Sequence, residues 1–258
     1  MARNYFNLEN KIALVTGASS GLGVHFANIL AAEGATVILA ARRMEKLQDA
    51  VNDINEKGGK AVAISLDVAD KESVAQAFAK IKQDFGTLDI LINNAGVAND
   101  PTSCLKMSED DWNWVIDTNL TGAFRVAQAA AKLMVDAGNG GSIVNTASVY
   151  GLRTGAMKVN YNAAKAGVVM LSKSLAAELS RHNIRVNSLC PGWFLTEINE
   201  DYFNSESGKR YIQNIPAKRL GTMDELTVPL LLLASASAGS YMNGTCIIVD
   251  GGFSEAPM

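Results

Sequence analysis

The chain has 258 residues, 48% hydrophobic and 19% charged, with a net charge of −3; that suits one α/β domain with a sizeable core and leaves no basic footprint for nucleic acid. No run approaches the ~18 consecutive apolar residues of a membrane span, and residues 1–10 lack the apolar segment of a signal peptide. Cys104, Cys190 and Cys246 are few and widely spaced, which excludes a zinc cluster and reads as reduced thiols in a cytoplasmic protein.

Short β-branched runs alternate with longer helical patterns. Strands are predicted at Ile12–Val15, Thr36–Ala40, Ala61–Leu66, Leu88–Asn93, Ser142–Thr146, Ile184–Leu189 and Cys246–Val249. Helices are predicted over 22–33, 43–57, 70–84, 109–136, 158–181 and 223–235. Several strand runs are almost wholly apolar, as in parallel strands covered on both faces. The alternation predicts βαβ units in a single domain over residues 1–258: one doubly wound, parallel, seven-stranded sheet with helices on both faces. Only residues 196–220 lack clear periodicity. Long irregular segments in compact domains are usually functional, so this one is expected to be a mobile substrate loop. Tyr202, Phe203 and Tyr211 would cover an apolar ligand, and Gly208 would ease bending.

The first strand runs into Val15-Thr16-Gly17-Ala18-Ser19-Ser20-Gly21-Leu22-Gly23, and a helix follows. Glycines there let the backbone approach a pyrophosphate, and the helix N-terminus supplies N–H donors and a positive dipole. The second strand ends in Ala40-Ala41-Arg42-Arg43. It lacks the acidic residue that bonds a ribose 2′-hydroxyl, and Arg42 offers planar donors suited to a 2′-phosphate. Further on, Tyr161 and Lys165 stand four apart, on one face of a helix. A positive charge about 4 Å from the phenolate would favour it by roughly 4 kcal/mol at an effective dielectric of ~20. That is equivalent to about three pKa units. The two histidines, His25 and His182, lie outside these motifs and read as packing or surface residues.

Taken together, these motifs resemble the single-domain short-chain dehydrogenase/reductase family, specifically its 3-oxoacyl-carrier-protein-reductase-like branch. Thr16-Gly17-x3-Gly21-x-Gly23 resembles its cofactor loop and Asn93-Asn94-Ala95-Gly96 its turn after the fourth strand. Asn119, Ser148, Tyr161 and Lys165 match its catalytic tetrad in order, and Pro191-Gly192 with Thr196 its nicotinamide-side turn. The resemblance implies a Rossmann-type fold and an oxidoreductase that interconverts a ketone and a secondary alcohol by hydride transfer, without a metal. Ser148 would bond the substrate oxygen, and Tyr161 would give or take its proton. Lys165 would favour the phenolate and bind the nicotinamide ribose. Asn119 would hold a relay water, or instead bond backbone at a helix kink.

The resemblance extends to the cofactor and the substrate. The cofactor would also touch Ser19, Ser20, Leu22, Arg42, Arg43, Asp67 and Val68. Family NAD users carry Asp where Ala41 stands, so NADP(H) is expected, with NAD(H) possible. Val149, Tyr150, Gly192 and Trp193 would line the substrate pocket. The Ala-rich stretches 123–134 and 163–179 would pair across two-fold axes in a homotetramer. Carrier-protein reductases place basic residues near the site entrance, whereas Val135–Gly141 and Ala177 here carry none; an acyl carrier partner is therefore doubtful. The alternatives are an NAD-linked polyol, sugar or hydroxyacyl dehydrogenase with the same tetrad, and a nucleotide-sensing binding protein without catalysis.

Overall fold

In the computed structural model, residues 4–196 and 199–255 are described. Seven parallel strands form one sheet in the order β3-β2-β1-β4-β5-β6-β7. They are β1 (Ile12–Thr16), β2 (Thr36–Ala41), β3 (Lys60–Ser65), β4 (Ile90–Asn93), β5 (Gly141–Thr146), β6 (Ile184–Pro191) and β7 (Cys246–Val249). Each corresponds to a predicted strand, with ends moved by two residues or fewer. Helices α1 (Gly21–Ala32) and α2 (Met44–Glu56) cover one face, together with α9 (Thr227–Ala234). Helices α3 (Lys71–Phe85), α5 (Gly122–Ala137) and α6 (Val159–Leu179) cover the other. Central strands are therefore buried on both sides, which explains their continuous apolar runs.

Each face has its own core. Phe26, Leu30, Leu47, Ile54 and Leu230 fill one, while Leu14, Ile38, Ile81, Leu91 and Met134 fill the other. Each such side chain contributes roughly 1.5–3 kcal/mol by leaving water. Local signals set the helix ends. Asp70 caps α3 by accepting from the amides of Glu72 and Ser73, and Gly86 ends it in the left-handed region, at φ 72°. Among the described residues, no helix is long and apolar enough to cross a membrane.

Two predicted segments differ. The helix expected over 109–136 is interrupted. Helix α4 (Glu109–Ile116) passes into a wide π-type turn, Asp117–Thr121, before α5 begins. This interruption sits on Asn119, and such turns recur at functional sites. The second is 196–220, which contains two short helices, α7 (Glu200–Asn204) and α8 (Glu206–Ile212); residues 197 and 198 lie outside the described residues. Gly208 is a close-packing position. A Cβ there would lie 2.0 Å from the Tyr202 carbonyl oxygen, so its bare backbone is what lets α8 close onto α7.

The chain starts in mid-sheet at β1, runs outward to β3, and returns to β4 beside β1. The loops after β1 and β4 thus meet at the carboxyl edge where strand order reverses, the crevice in which such sheets bind ligands.

Candidate active site

Bare backbone holds the two loops together. Gly17 has φ +67°, and a Cβ on it would stand 2.9 Å from the Ala95 Cα. Thr16 Oγ1 accepts from the amides of Asn94 and Ala95 at 2.9 and 3.0 Å, and Asn94 Nδ2 donates to the Thr16 carbonyl at 3.1 Å. Thr16 and Asn94 therefore pin loop to loop. A Cβ on Gly23 would meet the Gly17 carbonyl oxygen at 2.2 Å, so α1 can start directly against the loop only with glycine there. Gly21, at φ +55°, adopts the left-handed backbone that favours glycine, with the Thr196 methyl 3.7 Å from the position of a Cβ. The first turn of α1 has no acidic residue and no side-chain cap, which leaves its N–H groups for an anion.

The two arginines expected at the cofactor part here. Arg43, rather than Arg42, turns back over the glycine loop. Its Nη2 donates to Ser19 Oγ at 2.9 Å and to Ser20 Oγ at 3.0 Å, and its Nε to Ser19 Oγ at 3.3 Å. Arg42 points instead toward Asp67, 3.9 Å away; Arg42 is largely in water and Asp67 partly buried. Arg43 precedes the first turn of α2, where the chain changes direction, so neighbouring arginines diverge. Val68 is buried against Gly122, where a Cβ would stand 2.8 Å from its methyl carbon; it supports α5. The guanidinium, the two hydroxyls, the glycine loop and the free helix terminus are all donors or bare backbone. They fit the phosphates of a dinucleotide.

Beside this groove lies the tetrad. Ser148 follows β5 and accepts from the Tyr150 amide at 3.1 Å, and it also hydrogen-bonds Tyr161. Lys165 is buried, 5.6 Å from the centre of the Tyr161 ring, and its ammonium donates to the Thr146 carbonyl at 2.8 Å. Burial lowers the Lys165 pKa to about 8. Burial raises the Tyr161 phenol above 10.0, and its bond to Ser148 offsets this only in part. The expected lowering of the phenol by Lys165 is thus not met. The ammonium lies over the ring and is bonded to a carbonyl, and removing two buried groups from water outweighs their attraction. Cys190 lies near Lys165; burial and the neighbouring Cys246 raise its pKa, so it stays a neutral thiol.

Asn119 Oδ1 accepts from the Val97 amide at 2.7 Å, and its Nδ2 donates to the Val97 carbonyl at 2.8 Å. Its side chain bonds backbone at the helix kink, with one Nδ2 hydrogen and one Oδ1 lone pair left over. The bond holds the loop in which Gly96 lies between Asn119 and Lys165; a Cβ on Gly96 would be 3.3 Å from Asn119 Oδ1 and 3.6 Å from Lys165 Nζ.

A cavity of about 130 Å³ opens onto Ser148 and Tyr161, lined also by Ala98, Val149, Tyr150, Lys158, Gly192 and Trp193. Tyr150 and Trp193 do reach the pocket, as expected. Helix α8 backs this wall: the Tyr150 and Tyr211 hydroxyls are 2.9 Å apart, and Trp193 Nε1 donates to Tyr211 at 3.2 Å. Pro191 and Gly192 end β6 against β7, with the Gly192 amide donating to the Val249 carbonyl at 2.8 Å. Sequence reading missed Ala98 and Lys158. Lys158 stands at the non-helical N-cap of α6, three residues before Tyr161, where helix periodicity does not say which way it points.

One other expectation can be placed. Val135–Gly141 leads into the start of β5, where Gly141 pairs with Ile184 at the start of β6. This is the edge of the sheet opposite the site, so within one chain its lack of basic residues says nothing about the entrance. A wider hollow of about 640 Å³ at that edge includes Lys11, Asp89 and Arg185. Lys11 and Asp89 pair at 2.9 Å, and Arg185 donates to the carbonyls of Leu233, Ser235 and Met242.

A donor-lined groove at the switch point, beside a buried Ser–Tyr–Lys cluster, has the layout of a nicotinamide-dependent oxidoreductase. Comparison with known proteins agrees. The family described as enoyl-(acyl carrier protein) reductase matches residues 17–254. The chain is 37% identical over 246 residues to a 3-oxoacyl-[acyl-carrier-protein] reductase of Chlamydia muridarum, covering 95% of this chain and 98% of that one. Its structure is similar to a putative gluconate dehydrogenase from Agrobacterium tumefaciens, with TM-score 0.95 and 34% identity over 99% of this chain and 100% of that one. It is also similar to a gluconate 5-dehydrogenase from Burkholderia cenocepacia in complex with NADP and tartrate, with TM-score 0.93 and 34% identity over 98% of each chain. The protein belongs to the short-chain dehydrogenase/reductase family. It is an NAD(P)-dependent enzyme that interconverts ketones and secondary alcohols.

Proposed function

We propose that the enzyme prefers NADP(H) and that Ser148, Tyr161 and Lys165 carry its chemistry. The observation behind this is the Ser148–Tyr161–Lys165 cluster: Ser148 and Tyr161 line a small pocket beside the dinucleotide groove, and Lys165 is buried 5.6 Å from the Tyr161 ring centre. Bound nicotinamide supplies or accepts the hydride. Ser148 bonds the substrate oxygen and steadies developing negative charge on it. Tyr161 delivers the proton to that oxygen in reduction and removes it in oxidation. Its raised pKa keeps it a protonated donor at neutral pH. Lys165, near its own pKa, holds positive charge next to the phenol as that proton leaves. Asn119 is a positioning residue, fixing the Gly96–Val97 loop beside Lys165.

Preference for NADP(H) rests on Arg43, Ser19 and Ser20 clustering where no acidic side chain ends β2. The relative from Burkholderia cenocepacia, which binds NADP, supports the same reading. Carbonyl reduction is favoured over reduction of a carbon–carbon double bond because Ser148 and Tyr161 present two hydroxyls to one oxygen. We further propose one domain over the whole chain, a cytoplasmic location suited to three free thiols, and a homotetramer. Trp114 on α4, Phe124 on α5 and Met170 on α6 stand 44%, 40% and 60% exposed. These are large apolar side chains that a second copy would cover.

An α,β-unsaturated ketone tests the reaction class. With NADPH, the expected product is the allylic alcohol. A saturated ketone as sole product would overturn the carbonyl assignment, and NADPH binding without turnover on any ketone would favour the binding-protein alternative.

A further inference from the structure

The pocket over Ser148 and Tyr161 is apolar or hydroxylic apart from one side chain, Lys158. This lysine stands at the entry to α6, immediately before Val159, and is half-buried. Among the described residues its ammonium has no hydrogen-bond partner and no ion pair within 4 Å; Asp100 acts on it only at longer range. Burial lowers its pKa below 10.5, against the smaller opposing effect of Asp100. A partly desolvated ammonium with no partner is costly unless something compensates it. The first turn of α6 adds to the positive potential, since it carries no acidic residue and no side-chain cap.

Size narrows the ligand. The cavity is about 130 Å³, a few times the ~30 Å³ share of one liquid water. It is well below the ~300–1,000 Å³ typical of sites for larger ligands. An extended acyl chain would leave this cavity, whereas a compact molecule would fill it.

We propose that the substrate is a small oxo acid, or the matching hydroxy acid, whose carboxylate pairs with Lys158 while its carbonyl oxygen sits between Ser148 and Tyr161. This rests on the reading of Ser148 and Tyr161 as the groups that hold the reacting oxygen. Lys158 then sets specificity and plays no part in proton or hydride transfer. It fixes one end of the molecule and so the carbon that faces the hydride.

The test uses 2-, 3- and 4-oxopentanoate, each beside its methyl ester, with saturating NADPH. The esters keep the ketone and remove the charge. For at least one pair the acid should exceed its ester in kcat/KM by tenfold or more. Lys158→Met should lose that advantage through a raised KM on the acid, bringing acid and ester within twofold of each other in kcat/KM. Lys158→Arg, which keeps the charge, should restore most of it and show that the methionine variant had not simply misfolded. Binding supplies a second readout: in Tyr161→Phe with NADPH bound, the preferred acid should protect against thermal unfolding more than its ester, and only when Lys158 is present. Equal or better use of the esters, or an acid preference that survives Lys158→Met, would overturn the assignment. Esters reduced without acid preference would leave the ketoreductase reading intact. Failure of every acid and ester to bind or react would overturn the substrate class.

Discussion

Replacing Arg43 with alanine should shift cofactor choice. In the structure its guanidinium makes three contacts with Ser19 and Ser20, at 2.9, 3.0 and 3.3 Å. It is therefore already ordered over the loop where a 2′-phosphate would bind, and little side-chain entropy remains to be lost. A hydrogen bond to a charged group contributes about 1.5–3 kcal/mol, equivalent to roughly 10- to 150-fold in affinity. The parent should bind NADPH at least tenfold tighter than NADH. Arg43→Ala should lose most of that advantage while NADH affinity stays within threefold. Arg42 is 66% exposed and 3.9 Å from Asp67, a surface pairing of about 0–1 kcal/mol. Arg42→Ala should therefore weaken NADPH by no more than about fivefold. Fluorescence titration of both reduced cofactors against the three proteins measures this. If Arg43→Ala weakened both cofactors alike, or Arg42→Ala cost more than Arg43→Ala, the reasoning would be refuted.

Three further outcomes are expected. Lys165 has a pKa lowered by burial from 10.5 to about 8, so between those values the unfolded chain binds more protons and stability should rise with pH. Relative to Lys165→Met, the parent should gain up to ~3 kcal/mol across that window, at ~1.4 kcal/mol per pH unit; denaturant titrations at pH 7 and 10 that show no gain would contradict the burial account. Gly208→Ala puts a carbon 2.0 Å from the Tyr202 carbonyl oxygen and should cost about 1–3 kcal/mol, raising KM for ketones severalfold while NADPH affinity, measured by fluorescence, stays within twofold. Light scattering at micromolar concentration should give about four times the 27.4 kDa chain mass, and a monomer would rule the tetramer out.

Legibility in the sequence followed the range of the interactions. Strands such as Ile12–Val15 were readable because burial on both faces makes them apolar throughout, a local signature. The glycine loop was readable because each glycine answers a contact that any Cβ would spoil, as at Gly17 and Gly23. The direction of an exposed side chain leaves no such trace. Nothing in Arg42-Arg43 says which arginine turns back to Ser19 and which faces Asp67. The Tyr161–Lys165 spacing located the pair correctly but not its electrostatics, because the carbonyl of Thr146 and the depth of burial come from distant segments. Helices α7 and α8 were unreadable for a related reason. Their aromatics are placed by Trp193, Tyr150 and Phe253, up to 61 residues away, rather than by a repeat of their own. The π-type turn at Asn119 likewise answers to Val97, across the site.

The most direct test of the central claim is turnover by Tyr161→Phe. The substitution keeps the ring that packs edge-on against Tyr150 and removes only the transferable proton and the bond to Ser148. Steady-state NADPH oxidation with a ketone the parent reduces should fall by about 10²–10⁴-fold, with NADPH affinity unchanged within threefold. Turnover within threefold of the parent would show that Tyr161 is structural and that the proton comes from elsewhere.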